Sequence, residues 1–179
     1  YPTCSTLGCV SKPAKSCQEI KKADKNVKDG MYWLSTGATN AVAFSTYCDM
    51  TTEGGGWTLV AKLLGNHSFM NRRNTNQWRK KMYVGQTSTL DAANALSKSY
   101  ETVAFTDVMI RSLKTPARNI GWRHPKPFTN MWSIIEAGKR VSDGVKLFGS
   151  VYNLDYTAYP DKTNHNDCTI LKYGFLTAD

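Results

Sequence analysis

The sequence predicts an α+β fold, a mixed and mainly antiparallel sheet with short helices and long loops, stabilised by disulfides. Three observations predict it. Short runs of β-branched and aromatic residues recur along the chain, punctuated by Gly, Pro, Asn and Asp. Between them lie segments whose apolar spacing suits short helices. Five cysteines stand in a 179-residue chain without any Cys-x-x-Cys pair, which favours disulfides over the rival zinc reading.

Composition sets the frame for these elements. A chain of 179 residues fits one domain and can bury about 70% of the surface its unfolded form exposes. Hydrophobic residues make up 41% and charged residues 21%, ordinary globular usage that argues against disorder throughout. No apolar run approaches the roughly 18 residues that would mark a membrane span, so no transmembrane segment is expected. Residues 1–16 are polar, carry Cys4, Cys9 and Pro13, and do not read as a signal peptide. They read as an N-terminal arm or linker, with Tyr1 at a mature or trimmed terminus. Neither internal repeats nor low-complexity segments occur.

Taken in order, Met31–Ser35, Ala41–Asp49 and Trp57–Leu64 read as strands. Ser68–Met82 is polar with apolar anchors at Phe69, Trp78 and Met82, a pattern compatible with a helix. Ser88 or Thr89 caps a second short helix through Leu90, Ala93, Ala95 and Leu96, with Asp91 favourably placed near its N-terminus. Thr102–Arg111 alternates as a strand. Pro116, Pro125 and Pro127 make the next region an irregular connector. Met131–Ala137 is predicted helical and stopped by Gly138, and Val145–Val151 and Thr169–Leu176 are strands.

The most informative segment runs from Tyr47 to Val60: Tyr-Cys-Asp-Met-Thr-Thr-Glu-Gly-Gly-Gly-Trp-Thr-Leu-Val. Three successive glycines cost backbone entropy, so they are kept where positive φ or close backbone approach excludes other residues. A tight strand-to-strand connection is expected there, with Asp49 and Glu53 serving turn hydrogen bonds. Upstream stand Cys17-Gln18-Glu19-Ile20 and Asp29-Gly30-Met31-Tyr32-Trp33-Leu34. This ordered set resembles the opening of a fibrinogen-like (fibrinogen C-terminal-type) domain over roughly the first third of the chain. The middle departs from that pattern. Leu63 to Phe69 replaces the family's Arg-Arg-x-Asp-Gly-Ser segment, a divergence that gives the chain some intelectin-like character.

The resemblance implies a fibrinogen-like domain over 17–179, continuing past Asp179, and a Cys17–Cys48 disulfide between neighbouring strands. Such a bridge, closing a loop of about 30 residues, contributes roughly 3.5 kcal/mol on the chain-entropy model. Cys4 and Cys9 are near enough in sequence to form a small local loop. Cys168 is left over: it pairs with another chain, stays free, or needs a cysteine beyond residue 179. Phe175-Leu-Thr-Ala-Asp179 resembles the lead into the family's calcium loop, which makes Asp179 a candidate Ca²⁺ ligand. A second oxygen-rich stretch holds Asp155, Asp161, Asn164 and Asp167, and either a cation site or ordinary turn chemistry accounts for it.

The chain is strongly basic, with a formal charge of +9. Arg72, Arg73, Arg79, Lys80 and Lys81 cluster without an acid among them. A looser series runs Arg111, Lys114, Arg118, Arg123 and Lys126. Such groups attract anionic partners, and a solvated helix face is the plain alternative for 72–81. No nucleic-acid motif is present, and nucleic acid is not expected as a partner. Sugars stack their C–H faces on aromatic rings, which makes Trp122, His124 and Tyr159 candidate ligand-binding residues. Trp33 and Trp57 are expected to be structural. Asn66-His67-Ser68 is an N-glycosylation acceptor.

No catalytic motif is found around His67, His124 or His165, and the reading is non-enzymatic. Two functions follow. One is a secreted, oligomeric lectin that binds acidic or acetylated glycans with calcium. The alternative is a structural or adhesive extracellular protein that forms a disulfide-linked assembly or filament.

Overall fold

The computed structural model describes residues 5–62, 80, 81, 83, 85, 87, 88, 94–112, 119–137, 145–148 and 173–178. Among these the chain forms α1 (Cys17–Ala23), β1 (Gly30–Leu34), β2 (Phe44–Asp49), a 3₁₀ turn (Thr52–Gly54) and β3 (Trp57–Lys62). Then follow β4 (Ala95–Leu96), α2 (Ser99–Thr102), β5 (Phe105–Ser112), β6 (Asn119–Phe128), α3 (Met131–Ala137), β7 (Val145–Phe148) and β8 (Tyr173–Ala178). One sheet carries the strands in the order β1-β2-β3-β8-β5-β6-β7, with β4 also paired to β3. Every pairing between these strands is antiparallel. The α+β class and its antiparallel sheet are as expected.

Cys17 lies in a helix, not in the strand region implied for it. The local cause is a capping arrangement: Ser16 Oγ accepts the Glu19 N–H at 3.1 Å, while Glu19 Oε2 accepts the Lys15 N–H at 2.6 Å. The helix buries Cys17 and Ile20 against Leu34, Cys48, Met50 and Val103. Cys17 bonds covalently to Cys48, with the two Cα atoms 5.6 Å apart. Its N–H also donates to Thr58 Oγ1 at 3.1 Å, so α1 is stapled to β2 and hydrogen-bonded to β3.

The described part of the N-terminal arm lies along the outer edge of β1. Trp33 N–H donates to the Gly8 carbonyl at 2.7 Å, Ala14 N–H to the Trp33 carbonyl at 3.1 Å, and Ser35 N–H to the Ala14 carbonyl at 2.8 Å. A free sheet edge invites pairing with other chains, and here the arm occupies part of it. Trp33 keeps about a third of its surface exposed, whereas Trp57 is buried.

β3 is buried at all six positions, as befits a central strand with both faces covered. The irregularity in its pairing with β8 falls between Leu59 and Ala61. There the Leu59 carbonyl accepts the Thr46 hydroxyl at 3.2 Å, and Ser97 Oγ donates to Thr46 Oγ1 at 2.9 Å. On one side α2 and α3 close a core of Val60, Leu96, Tyr100, Phe105, Val108 and Met131. A smaller cluster, Trp57, Leu59 and Met109 with Tyr47 against it, lies elsewhere in the sheet.

Three sequence expectations are corrected. Residues 119–128 form a ten-residue strand rather than a connector. Pairing with β5 passes from Phe105↔Phe128 directly to Asp107↔Arg123. The bulge therefore lifts 124–127, with exposed Pro125 and Pro127, out of the ladder where a missing N–H would matter. Ala95 and Leu96, expected at the end of a helix, pair instead with Lys62 and Ala61. Burial at the centre of the sheet outweighs their helical propensity. Finally, Ser99–Thr102 is a helical turn, so the strand begins at Phe105 rather than Thr102. The expected helix 68–82 lies outside the described residues except Lys80 and Lys81, which form a turn.

The triple-glycine bend is explained by both expected causes. Gly54, Gly55 and Gly56 have φ of +92°, +77° and +85°. A Cβ at Gly55 would stand 1.9 Å from the Met50 carbonyl oxygen, whereas one at Gly54 would meet nothing within 4 Å. Gly54→Ala is therefore expected to cost about 1 kcal/mol, the backbone penalty alone. Gly55→Ala should cost more than about 3 kcal/mol, because backbone must also move. Urea midpoints of the two variants check the ranking.

Candidate functional site

The densest polar arrangement gathers around the loop that joins β2 to β3. Asp49 ends β2 with its side chain fully buried. Its Oδ1 accepts Thr51 N–H at 3.2 Å and Thr52 N–H at 2.8 Å, the turn role expected of it. Its Oδ2 is taken by the Arg111 guanidinium, reaching from β5. Arg111 also donates to Thr52 Oγ1 at 3.0 Å, and Trp57 Nε1–H to the Thr52 carbonyl at 2.8 Å. Asp29 braces the loop from its other side, accepting Met50 N–H at 2.7 Å and the Thr51 hydroxyl at 3.1 Å. Burial pushes the Tyr47 hydroxyl above its ordinary range, Asp29 and Asp49 add to that, and Arg111 opposes it. Glu53 stands exposed at the loop tip with φ of +48°.

A second pair lies further along β5. Arg123 grips Asp107 with two bonds, Nε to Oδ1 at 2.8 Å and Nη2 to Oδ2 at 2.7 Å, between directly opposed positions of β5 and β6. Asp107 raises the already high pKa of Arg123. Of the expected basic series 111–126, two arginines are thus committed to carboxylates of the same sheet. Lys114 and Arg118 lie outside the described residues, and Lys126 is exposed.

The third cluster involves the other basic group. Lys81 Nζ lies 3.0 Å from Glu101 Oε2 and 3.7 Å from the centre of the Trp132 ring. Ion pair and cation–π contact together hold it against the α2–α3 corner. Burial pushes the Glu101 carboxyl up, but the Tyr83 hydroxyl and Lys81 more than offset it and the net shift is downward. Tyr83 is pushed well above its ordinary range, by burial first and then by Glu101. Lys80 is exposed, while Arg72, Arg73 and Arg79 lie outside the described residues.

Two of the three aromatic candidates are placed inside the fold. Trp122 and His124 are 7% and 2% exposed, and the His124 ring packs edge-on to Phe128 at 4.8 Å. They share parity on β6, and that side of the strand is packed, so neither ring offers a face to a sugar. Tyr159, Asn66, Cys4, Cys168, Asp155, Asp161, Asn164, Asp167 and Asp179 lie outside the described residues. Cys9 is disulfide-bonded, with its partner also outside them. Among the described residues no group of three His, Cys, Asp or Glu side chains is arranged to hold a metal, and no helix is long and apolar enough to cross a membrane.

Asp49–Arg111 was not anticipated, because 62 positions separate the partners and nothing local to either marks the other. A capping Asp is locally visible; its cation is not.

Comparison with known proteins follows this geometry. The description of the fibrillar collagen C-terminal domain matches residues 4–119. Two solved structures are similar in fold. The fibrinogen-like globe domain of human ANGPTL6 is 18% identical over 63% of this chain, with a TM-score of 0.43. That of human ANGPTL2 is 16% identical over 62%, also with a TM-score of 0.43. This chain spans about half of each, 49% and 50%.

Two measurements test the network. Arg111→Met leaves a buried carboxylate without its cation and should cost about 3 kcal/mol or more. Asp49→Asn with Arg111→Met should cost less than the sum of the single changes, which a double-mutant cycle by chemical denaturation reads directly. For Glu101 the folded pKa is depressed. Its contribution is therefore present above the ordinary glutamate range and lost as pH falls through the lowered folded value. Glu101→Gln should flatten that part of the acid-side stability profile.

Proposed function

Because the chain belongs to the fibrillar collagen C-terminal domain family, we propose that it is a non-catalytic module of an extracellular, fibril-forming protein, and that it brings copies of its chain together. The family match over 4–119 carries this reading. The disulfides at Cys17–Cys48 and at Cys9 support an oxidising, extracellular setting. The buried Asp49 clamp suits a role in assembly, since it makes a rigid scaffold rather than an open pocket.

Glycan recognition with calcium is the second reading. Trp122 and His124 do not serve it, because they are buried. Calcium binding in that reading rests on Asp179 and on the Asp155, Asp161, Asn164 and Asp167 group.

Assembly is tested on the purified chain by non-reducing electrophoresis together with sedimentation equilibrium. The expected result is a discrete oligomer, with covalent bands that collapse on reduction and in a Cys168→Ser variant. A species that stays monomeric by both methods across the micromolar range would sink the proposal. A glycan array run with and without calcium examines the second reading.

A further inference from the structure

The arginines described in the sheet are tied down. Arg111 and Arg123 face Asp49 and Asp107. Among the described residues, the largest group of uncommitted charge lies in and beside α1. Lys12, Lys15, Lys22, Lys25 and Lys28 are exposed and Lys21 is half-buried. None of them forms an ion pair among the described residues, where the salt bridges involve Lys81, Arg111 and Arg123.

The same stretch contains acids, and their engagement creates the imbalance. Glu19 accepts the Lys15 N–H at 2.6 Å. Asp24 accepts the Asn26 N–H at 2.8 Å. Asp29 accepts Met50 N–H at 2.7 Å and the Thr51 hydroxyl at 3.1 Å. Each carboxylate is directed to backbone or loop donors, while the ammonium groups are left to solvent. Lys21 Nζ alone is anchored, on the Lys25 carbonyl at 2.7 Å.

Burial of Ile20 and Cys17 holds this basic side of α1 outward, because the opposite side is committed to the core and to the disulfide. Lys21 and Lys22 lie in the last turn of α1, and Lys25 follows in the turn just beyond it, where its carbonyl accepts the Lys21 ammonium. The Gly8 turn, which packs on Ile20 and Tyr32, brings Lys12 to the same corner through the Gly8–Lys12 hydrogen bond of 2.9 Å.

We propose that the α1 corner is a binding surface for a sulfated glycosaminoglycan. Lysines on flexible stems present separate point charges rather than planar forks. Spread along α1 and the segments on either side of it, they suit a linear chain of sulfates and carboxylates better than a small enclosed ligand. The exposed run from Lys21 to Lys28 has no aromatic residue on which a nucleic-acid base could stack. It has no large exposed apolar residue to enter a bilayer either, and the neighbouring Gly8–Lys12 turn adds the single exposed side chain of Val10, too little apolar surface for an anchor. The surface is independent of the assembly proposed above, and either can fail without the other.

The probe is heparin, measured by affinity chromatography and by calorimetry over a salt series. Lys22→Gln, Lys25→Gln and Lys28→Gln combined should weaken binding about tenfold or more. Lys80→Gln, Lys98→Gln and Lys126→Gln combined remove the same charge elsewhere and should change binding less than about threefold. Thermal unfolding of both variants should match the parent, because the altered side chains lie outside the core. Equal losses in the two variants would show attraction to net charge and overturn the proposal. So would an absence of heparin binding at physiological salt. Binding to phosphatidylserine vesicles that is as tight as heparin binding, and lost in the α1 variant, would overturn the choice of ligand.

Discussion

The architecture turns on one buried carboxylate. Asp49 sits at the end of β2 with no exposure of its side chain, and an ionised group there must have partners. It takes two N–H groups from the following loop and a guanidinium from β5. β3 and β8 lie between β2 and β5 in the sheet, so this ion pair joins two strands that are not neighbours. The loop, the strand that follows it and a distant strand are consequently held in one mutual register.

The disulfide acts on the adjacent residue from the other side of the strand. Successive residues of a strand face opposite ways, so Cys48 joins α1 while Asp49 joins Arg111. One dipeptide thereby fastens both faces of the sheet. The glycines that follow let the chain leave this crowded position without collision, since a side chain at Gly55 would run into the Met50 carbonyl.

Charge is distributed by the same logic. Arginines placed in the sheet are neutralised by carboxylates on neighbouring or nearby strands. Lysines placed around α1 are left unpaired because the acids beside them cap backbone groups. A formal charge of +9 therefore says little about where an anion would bind. The hydrogen bonds of the carboxylates decide that.

The opening third was readable because its signals are local. A cysteine, a capping acid and a run of glycines each state their requirements within a few residues, and so did the antiparallel α+β class and the helix at Met131. Ser16 and Glu19 also carried a legible helix signal that the strand expectation for Cys17 overrode. What the sequence could not reveal was set by partners far along the chain. Ala95 and Leu96 became a strand because β3 offered a ladder, and Pro125 and Pro127 were tolerated because a bulge removed the need for their N–H groups. Trp122 and His124 were enclosed because their side of β6 is packed. Composition and short-range chemistry determined which segments could bend, pair or cap; only the closed sheet, by bringing together residues tens of positions apart, decided which charges were cancelled and which side chains reached the solvent.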